Sequence, residues 1–406
     1  MAVTADLPRL LYVGDVPVAS STGGSALLFR LLQDYPPDRL RIVESRAWHS
    51  DPSTRLPNVD YSSINSGWLR LLQTRLMRVY SAFCVATALR SARQLTSVVT
   101  QFKPQAILTV GHRFAWLAAG DAARRWNLPL HLIIHDDVVL STGVAPWLRR
   151  WVDKKLGRVY RLAVSRSCVS PYMAEMYADK FGAAATVLYP SRARDAACFN
   201  EPTTMKPAGA STTYLFAGTI NSPGYSRSLT MLASVLERTN GRLIVYSNLR
   251  LGDIKDTILA KPHVSVREMI RPEVLLERMR SEADVLFVPM SFHPNDLQNM
   301  RLGFPSKLAD YTLTGLPSLI WGPADCSAVR WERENPGVAE VVEQEDEVAL
   351  EAAVQRLTSS EHRNRLGSVA LHKGSEFFSH DAALTTFYET LCRAGAQIAD
   401  TGPDAG

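Results

Sequence analysis

The sequence predicts an α/β protein of two doubly wound, parallel-sheet domains facing a central cleft. Three observations point there. Short apolar, β-branched runs that stop at Gly, Asp or Pro alternate with helical stretches almost from end to end, which is the pattern of βαβ units and a buried parallel sheet. The rhythm breaks once, over 190–212, where PSRARDAACFNEPTTMKPAGAST is rich in Pro, Ala, Ser and Thr and has no period, as an interdomain linker would be. A chain of 406 residues has the length of about two domains.

The elements follow in order. Before the break, Leu10–Val16, Arg41–Glu44, Ala106–Gly111 and His131–Asp136 read as strands. The last strands of this half are Leu162–Ser165 or Ser167–Ser170, and Ala185–Tyr189. After it come Tyr214–Gly218, Leu243–Ser247, Val264–Arg267, Asp284–Pro289, Pro317–Trp321 and Val338–Val342, with helices expected over Arg227–Thr239, Pro272–Ser281, Ser306–Thr314, Glu347–Thr358 and Asp381–Ala394. The expected division is a Rossmann-like domain over 1–195, a second over 212–380, and a C-terminal helix within 381–406 that crosses back to the first domain before a flexible tail. In such sheets ligands sit at the carboxyl ends of the strands.

Composition narrows the class. Hydrophobic residues make up 46% and charged residues 21%, which excludes a disordered chain, a collagen-like fibre and a coiled coil. A net charge of +5 is too small for a nucleic-acid binder, which would concentrate more basic charge. The five cysteines are single and scattered, as expected in a reducing, cytosolic compartment. The opening MAVTADLPRLLYVGDV lacks the basic and apolar regions of a signal peptide, and no window has the ~18–20 uninterrupted apolar residues of a membrane span.

Four segments bear chemistry. In VGDVPVASSTGGSALLFRLL, Gly23 and Gly24 follow the first strand and open a helix, where bare backbone and free N–H groups favour an anion. The spacing is not GxGxxG, so a nicotinamide dehydrogenase is disfavoured, and a plain strand-to-helix turn explains the pair equally. In VGHRFAW, His112 and Arg113 end a strand; His112 suits a hydrogen-bond or acid–base role, or is simply a loop histidine. In LIIHDDVVLS, His135, Asp136 and Asp137 end the next strand, with a helix N-cap as the alternative to chemistry. No further ligands stand at metal-binding spacing, so no metal is expected. The fourth segment, GFPSKLADYTLTGLPSLIWGP over 303–323, is the most specific. Ser306 and Lys307 put a hydroxyl, a cation and N–H groups at an expected helix start, as a diphosphate requires. Asp310 lies one turn on and can accept from ribose or sugar hydroxyls. Capping accounts for Ser306 and Gly315 but not for Lys307 with Asp310.

PSKLADYTLTGLPSLI resembles the PSK-x-x-E-Y-x-x-x-G-x-P-V-I signature in the second domain of GT-B-fold glycosyltransferases, in particular the family-4-type retaining enzymes. The resemblance runs along nearly the whole chain. The Gly-Gly turn, the strand-ending Gly111-His112, NLPLHLIIHDD, AVSRSCVSPYMAEMYADKFG and LFAGTINSPGYSRSL are similar to family segments in the same order. It implies transfer of a sugar from a nucleotide sugar, of UDP or GDP type, to a glycan or lipid-linked acceptor. The nucleotide sugar is a substrate, and no cofactor is implied. The acceptor side would be the first domain and the donor side the second. His112 and Asp136 are the catalytic candidates. Gly23, Gly24, Arg227, Ser306, Lys307 and Asp310 are the donor-binding ones. The loop SFHPNDLQNMRLGFPSK (291–307) offers Asn295, Asp296, Gln298 and Asn299 as sugar contacts, or is a solvated loop.

The chain departs from the family pattern in three ways. Leu302 stands where the first acid of a Glu-x7-Glu motif belongs. Thr219 and Tyr225 stand where an Arg and a Lys belong, leaving Arg227 as the nearest substitute. Asp310 is shorter than the usual Glu. A departing diphosphate needs cations, so these departures favour a rival reading, a non-catalytic binding subunit. A sugar-nucleotide epimerase of the same fold, with His112 and Asp136 as its acid and base, is a further alternative that the signature segment fits less well than transfer.

Charge is uneven. From Tyr61 to Gly120 there is no Asp or Glu, while 332–351 is acidic. Trp68, Leu69, Leu72, Leu76 and Tyr80 alternate with Arg70, Arg75 and Arg78 near helical spacing, and 147–161 opens on Trp147 and carries six basic residues against Asp153. Trp with Lys and Arg on amphipathic helices suits an anionic membrane surface, so a cytoplasmic enzyme peripheral to the inner face is expected through 68–80 and 147–161. Ordinary helices packed on the sheet are the alternative.

Overall fold

The computed structural model of the chain describes residues 7–20, 23–65, 77–141, 144–203, 211–220, 222–249 and 257–399. The chain divides into two compact units. One runs through Pro190 and resumes from His380; the other is Ser191–Ser379.

The first unit holds β1 (Leu10–Gly14), β2 (Leu40–Ser45), β3 (Asp60–Ile64), β4 (Ala106–Val110), β5 (Leu130–Ile134), β6 (Ser165–Cys168) and β7 (Thr186–Val187). They form one sheet in the order β3-β2-β1-β4-β5-β6-β7, with every pair parallel. The second unit holds β8 (Thr213–Ala217), β9 (Arg242–Ser247), β10 (Val264–Glu268), β11 (Val285–Pro289), β12 (Ser318–Trp321) and β13 (Glu340–Val342). Their order is β10-β9-β8-β11-β12-β13, again all parallel. In each sheet the strand order reverses beside the first strand, between β1 and β4 and between β8 and β11. That is the crevice where open α/β sheets take ligands. The strands flanking each reversal are buried along their whole length, because helices cover both faces of a parallel sheet. This is why they read as uninterrupted apolar runs.

Several elements differ from expectation. β1 stops at Gly14, so Asp15 and Val16 belong to the loop. β3 has no apolar run; DYSSI is mostly polar and is buried only at Ile64, as an edge strand can be. β6 straddles the two alternatives read from sequence. The helix expected over Ser306–Thr314 is Lys307–Tyr311, continued by tight turns in which Leu313 N donates to Asp310 O and Thr314 N to Tyr311 O. A 19-residue helix, Ser360–Phe378, was not expected. Its Gly367 and Gly374 face Gly315 and Thr312, where a β-carbon would clash.

The described part of the stretch read as a linker is held to the second unit. Arg192 donates to Ala309 O at 3.3 Å and to Ser375 Oγ at 3.2 Å, and Thr203 Oγ1 donates to Thr314 O at 2.8 Å. The helix His380–Ala399 lies in the first unit, with His380 Nε2 3.2 Å from Asp34 Oδ2 and Tyr388 edge-on to Tyr35 at 5.9 Å. The residues after Ala399, expected as a tail, lie outside the described residues. No described helix is long and apolar enough to cross a membrane.

Gly315 ends the signature segment at φ 71°, and a β-carbon there would lie 3.0 Å from Glu201 O and Pro202 Cα. Gly337 has φ 85° with open space around it. Both Gly→Ala changes meet a left-handed backbone, worth roughly 1–3 kcal/mol, but only Gly315→Ala adds a clash. Thermal unfolding should therefore show Gly315→Ala the more destabilised of the two; equal losses would contradict the packing described.

Candidate functional site

In the second unit the site forms where β8 ends. Residue 218 has φ 153° and no side chain, and a β-carbon there would lie 2.5 Å from Lys307 Cε and 2.9 Å from Nζ. Glycine thus lets the lysine lie across the end of the strand. The Lys307 ammonium stands 5.2 Å from the Phe216 ring centre and 5.8 Å from that of Tyr225. Burial among these rings lowers its pKa to about 8, because a low-polarity setting disfavours the charged form. Tyr311, the aromatic residue of the same segment, accepts from Ala217 N at 2.8 Å. One short helix therefore both delivers the cation and ties down the strand it crosses.

The next helix, Pro223–Arg238, starts with proline in its first turn and has no side-chain cap. Its N-cap Ser222 instead donates to Asp296 Oδ2 at 2.7 Å, and Ser291 donates to the same oxygen at 2.6 Å. Asp296, read as a sugar contact, thus spends that oxygen holding the β8 and β11 loops together. Asn295 donates its backbone N–H to His293 Nδ1 at 3.3 Å. Gln298 and Asn299 lie on the helix Leu297–Leu302, and the buried Oδ1 of Asn299 meets no hydrogen-bond partner. Ser306 is exposed, already helical in backbone and makes no capping bond, so the expected cap is absent; Leu308 N donates to Pro305 O instead. Arg227 is exposed and paired with Glu345 at 2.9 Å. Asp310 is half-buried, and its charge raises the pKa of Arg192, though burial of that guanidinium lowers it more.

In the first unit the ends of β1, β4 and β5 converge. Asp15, buried, accepts from Phe114 N at 2.8 Å and Ala115 N at 2.6 Å, holding the start of the helix Ala115–Arg125. Arg113 adopts φ 48° and lies 4.1 Å over the Trp48 ring. His112, between them, has its pKa lowered by burial and by the Arg113 charge, against the opposing pull of Asp136 and Asp15. Asp136 is raised by burial and lowered by His112. Capping falls to Asp137, whose Oδ1 accepts from Val139 N at 3.0 Å, which leaves Asp136 to interact with the imidazole. His135 is pushed down to about 4 by burial and then by His112, and its Nε2 has no hydrogen-bond partner. A β-carbon at Gly24 would lie 3.0 Å from His135 Nδ1, and Gly23 sits at φ 61°. Gly24 thus leaves room for the histidine, while Gly23 serves the turn. Neutral imidazoles beside a buried carboxylate can donate, accept or pass a proton.

Asp15 and Trp48 were not singled out from the sequence, and His135 was noted in its segment but given no role. Asp15 had a signal, an acid directly after the first strand; Trp48 had none. Among the described residues no cluster of three or more His, Cys, Asp or Glu could hold a metal ion.

No protein-family model and no curated protein matches the sequence. Solved structures do resemble the chain. HepE of Anabaena in complex with UDP and glucose covers 95% of it over 99% of its own length, with 13% identity and a TM-score of 0.63. Sucrose-phosphate synthase of Thermosynechococcus elongatus covers 96% over 99%, with 13% identity and a TM-score of 0.66. The lipopolysaccharide outer core galactosyltransferase WaaB covers 96% over 99%, with 12% identity and a TM-score of 0.62. The fold is that of GT-B glycosyltransferases. At these identities the likeness is one of fold.

Within that fold, the His112–Asp136 pair has a testable electrostatic signature. The Asp136 carboxylate favours the imidazolium, so Asp136→Asn should move the His112 pKa still lower. NMR titration of the imidazole carbons checks this; an unchanged or higher value would mean that the carboxylate is not acting on the ring.

Proposed function

We propose that the chain moves a sugar from a nucleotide sugar to a glycan or lipid-linked acceptor, with retention, in polysaccharide or glycan biosynthesis. The observation that carries this reading is Lys307, a partly desolvated ammonium laid across Gly218 where β8 ends, beside the uncapped start of the helix Pro223–Arg238. A diphosphate gains negative charge as the sugar leaves. A cation and N–H groups aimed there stabilise that charge more in the transition state than in the ground state. The fold neighbours support the donor class, since HepE is solved with UDP and glucose, and WaaB is a lipopolysaccharide outer core galactosyltransferase.

On this reading the second unit holds the donor and the first the acceptor. Lys307 takes the distal phosphate, Ser306 adds a hydroxyl, and Asp310 accepts from the ribose. Gly23 and Gly24 leave backbone open to the diphosphate or acceptor. His112, neutral at pH 7 because its pKa is lowered, hydrogen-bonds the transferred sugar, and Asp136 sets its proton affinity. Asn299 and Gln298 remain the loop's candidates for sugar hydroxyls. Arg227, held by Glu345, contributes only after leaving that partner.

The engaged state of Arg227 and the absence of the family's acid at Leu302, which is buried, favour one rival: a donor-binding subunit without turnover. Calorimetry with UDP, GDP, ADP and dTDP and their common sugars, alongside an assay of sugar release, tests both. One nucleotide should bind, and Lys307→Ala should weaken it about 10-fold or more, the worth of a charge-assisted bond. Because the free amine loses its proton near pH 8, affinity should fall as pH rises through that value in the native chain and stay flat in Lys307→Ala. Binding without turnover selects the rival; no binding at millimolar nucleotide rejects both.

The acceptor is proposed to be reached at an anionic membrane on the cytoplasmic side. The helix Pro146–Leu162 exposes Trp147 (68%) together with Arg149, Arg150, Lys154, Arg158 and Arg161, and Phe83, stacked on Tyr80, is exposed at 55%. Residues 68–76 of the other expected stretch lie outside the described residues. Sedimentation with vesicles containing anionic lipid at low salt should recover the chain, and Trp147→Glu with Arg150→Glu should release it. Equal recovery on neutral vesicles, or none on either, would remove the membrane from the reading.

A further inference from the structure

A cavity in the first unit lies at the other end of the sheet from the groups above. It has a volume of about 820 Å³ and is lined by the residues that lead into β1, β4 and β5 together with the helix His380–Ala399. Small-molecule sites span about 300–1,000 Å³, so the space suits a ligand of that class. Its wall is apolar at Leu7, Pro129 and Leu391. Its charged groups are Arg9, Arg39 and Asp38. Arg9 Nε donates to Lys103 O at 2.9 Å and Arg39 donates to Leu7 O at 2.6 Å. Neither arginine forms an ion pair among the described residues. Each guanidinium is thus fixed by backbone and retains further N–H donors, and two cations against one carboxylate leave the lining positive.

His131 is 2% exposed and also lines the cavity, with its Nδ1 2.7 Å from Ser165 Oγ.

We propose that this cavity is a second ligand site, which takes an anionic amphiphile: an apolar body on Leu7, Pro129 and Leu391, and a carboxylate, sulfonate or phosphate head held by Arg9 and Arg39. The amino ends of the strands carry none of the groups assigned to transfer, so the occupant is an effector and not the donor or acceptor. The site stands whether or not the chain is a transferase.

The test uses the full chain and 1-anilinonaphthalene-8-sulfonate, with the uncharged N-phenyl-1-naphthylamine as its partner probe. Cys392 lines the cavity and is in no disulfide, and Cys198, in the second unit, is an exposed thiol that serves as the internal control. The sulfonate should bind saturably and slow alkylation of Cys392 by iodoacetamide without changing that of Cys198. The uncharged probe should bind about 10-fold more weakly, as should the sulfonate to an Arg9→Gln, Arg39→Gln chain of unchanged melting temperature. Unaltered Cys392 alkylation at saturating sulfonate overturns the proposal, and equal affinity for the two probes overturns its anionic part. Both readings are made on the native chain and stand even if the double variant fails to fold.

Discussion

Lys307 lies across the end of β8 where residue 218 carries no side chain, and neighbouring groups of the second unit hold that segment. Tyr311, four residues on, bonds the backbone of β8. Thr312 and Gly315 press on the glycines of the helix Ser360–Phe378, and Arg192 and Thr203 bind the backbone of the same segment. The crossing has a thermodynamic cost. In the unfolded chain a lysine holds its proton to about pH 10.4, whereas the folded one releases it near 8. Between those values the unfolded state binds more protons, so this group favours folding more as pH rises. At neutral pH the fold therefore carries an ammonium it would rather hydrate. An anion arriving at Lys307 removes that penalty by giving the charge a partner.

The first unit obeys the same logic with different groups. Its strand ends hold imidazoles out of water, which keeps His112 and His135 neutral where an exposed histidine would be partly charged. Asp15 is buried too, but two backbone N–H groups satisfy it, so it supports the loop that presents His112. Arg113 stands in a left-handed conformation over Trp48. A non-glycine residue in that region is held by its surroundings, and the stacked indole is the visible part of that hold.

The central strands β1, β4, β8 and β11 were legible in the sequence because a strand buried on both faces must be mainly apolar, and these are. β3 was not legible because an edge strand needs no apolar run. The helix Ser360–Phe378 was not read from the sequence, and the close backbone approach its glycines allow is a tertiary feature that no local propensity reveals. The site divides the same way. Lys307 announced itself through residue types and spacing. Its effect depends on Phe216 and Tyr225, and Tyr225 had counted only as a missing basic residue. Asp296 and Arg227 were chosen for their chemistry, yet both are engaged by neighbours far away in sequence, Ser222 and Glu345, which spacing cannot foresee.

That substitution at Tyr225 bears on the proposed chemistry. Two exposed cations at a diphosphate act through water, where a unit charge pair at 4 Å is worth about 1 kcal/mol, while an effective dielectric near 20 raises this to about 4 kcal/mol. Replacing a second base by an aromatic ring lowers the number of charges but also dries the one that remains. The ring face itself attracts the ammonium, by about 0.5–2 kcal/mol depending on its exposure, which holds it in place before an anion arrives. One prearranged, partly desolvated lysine can therefore take over work that two hydrated side chains would share. The loss of the usual basic pair is then a change in how charge is delivered, and it does not require that the chain has lost its chemistry.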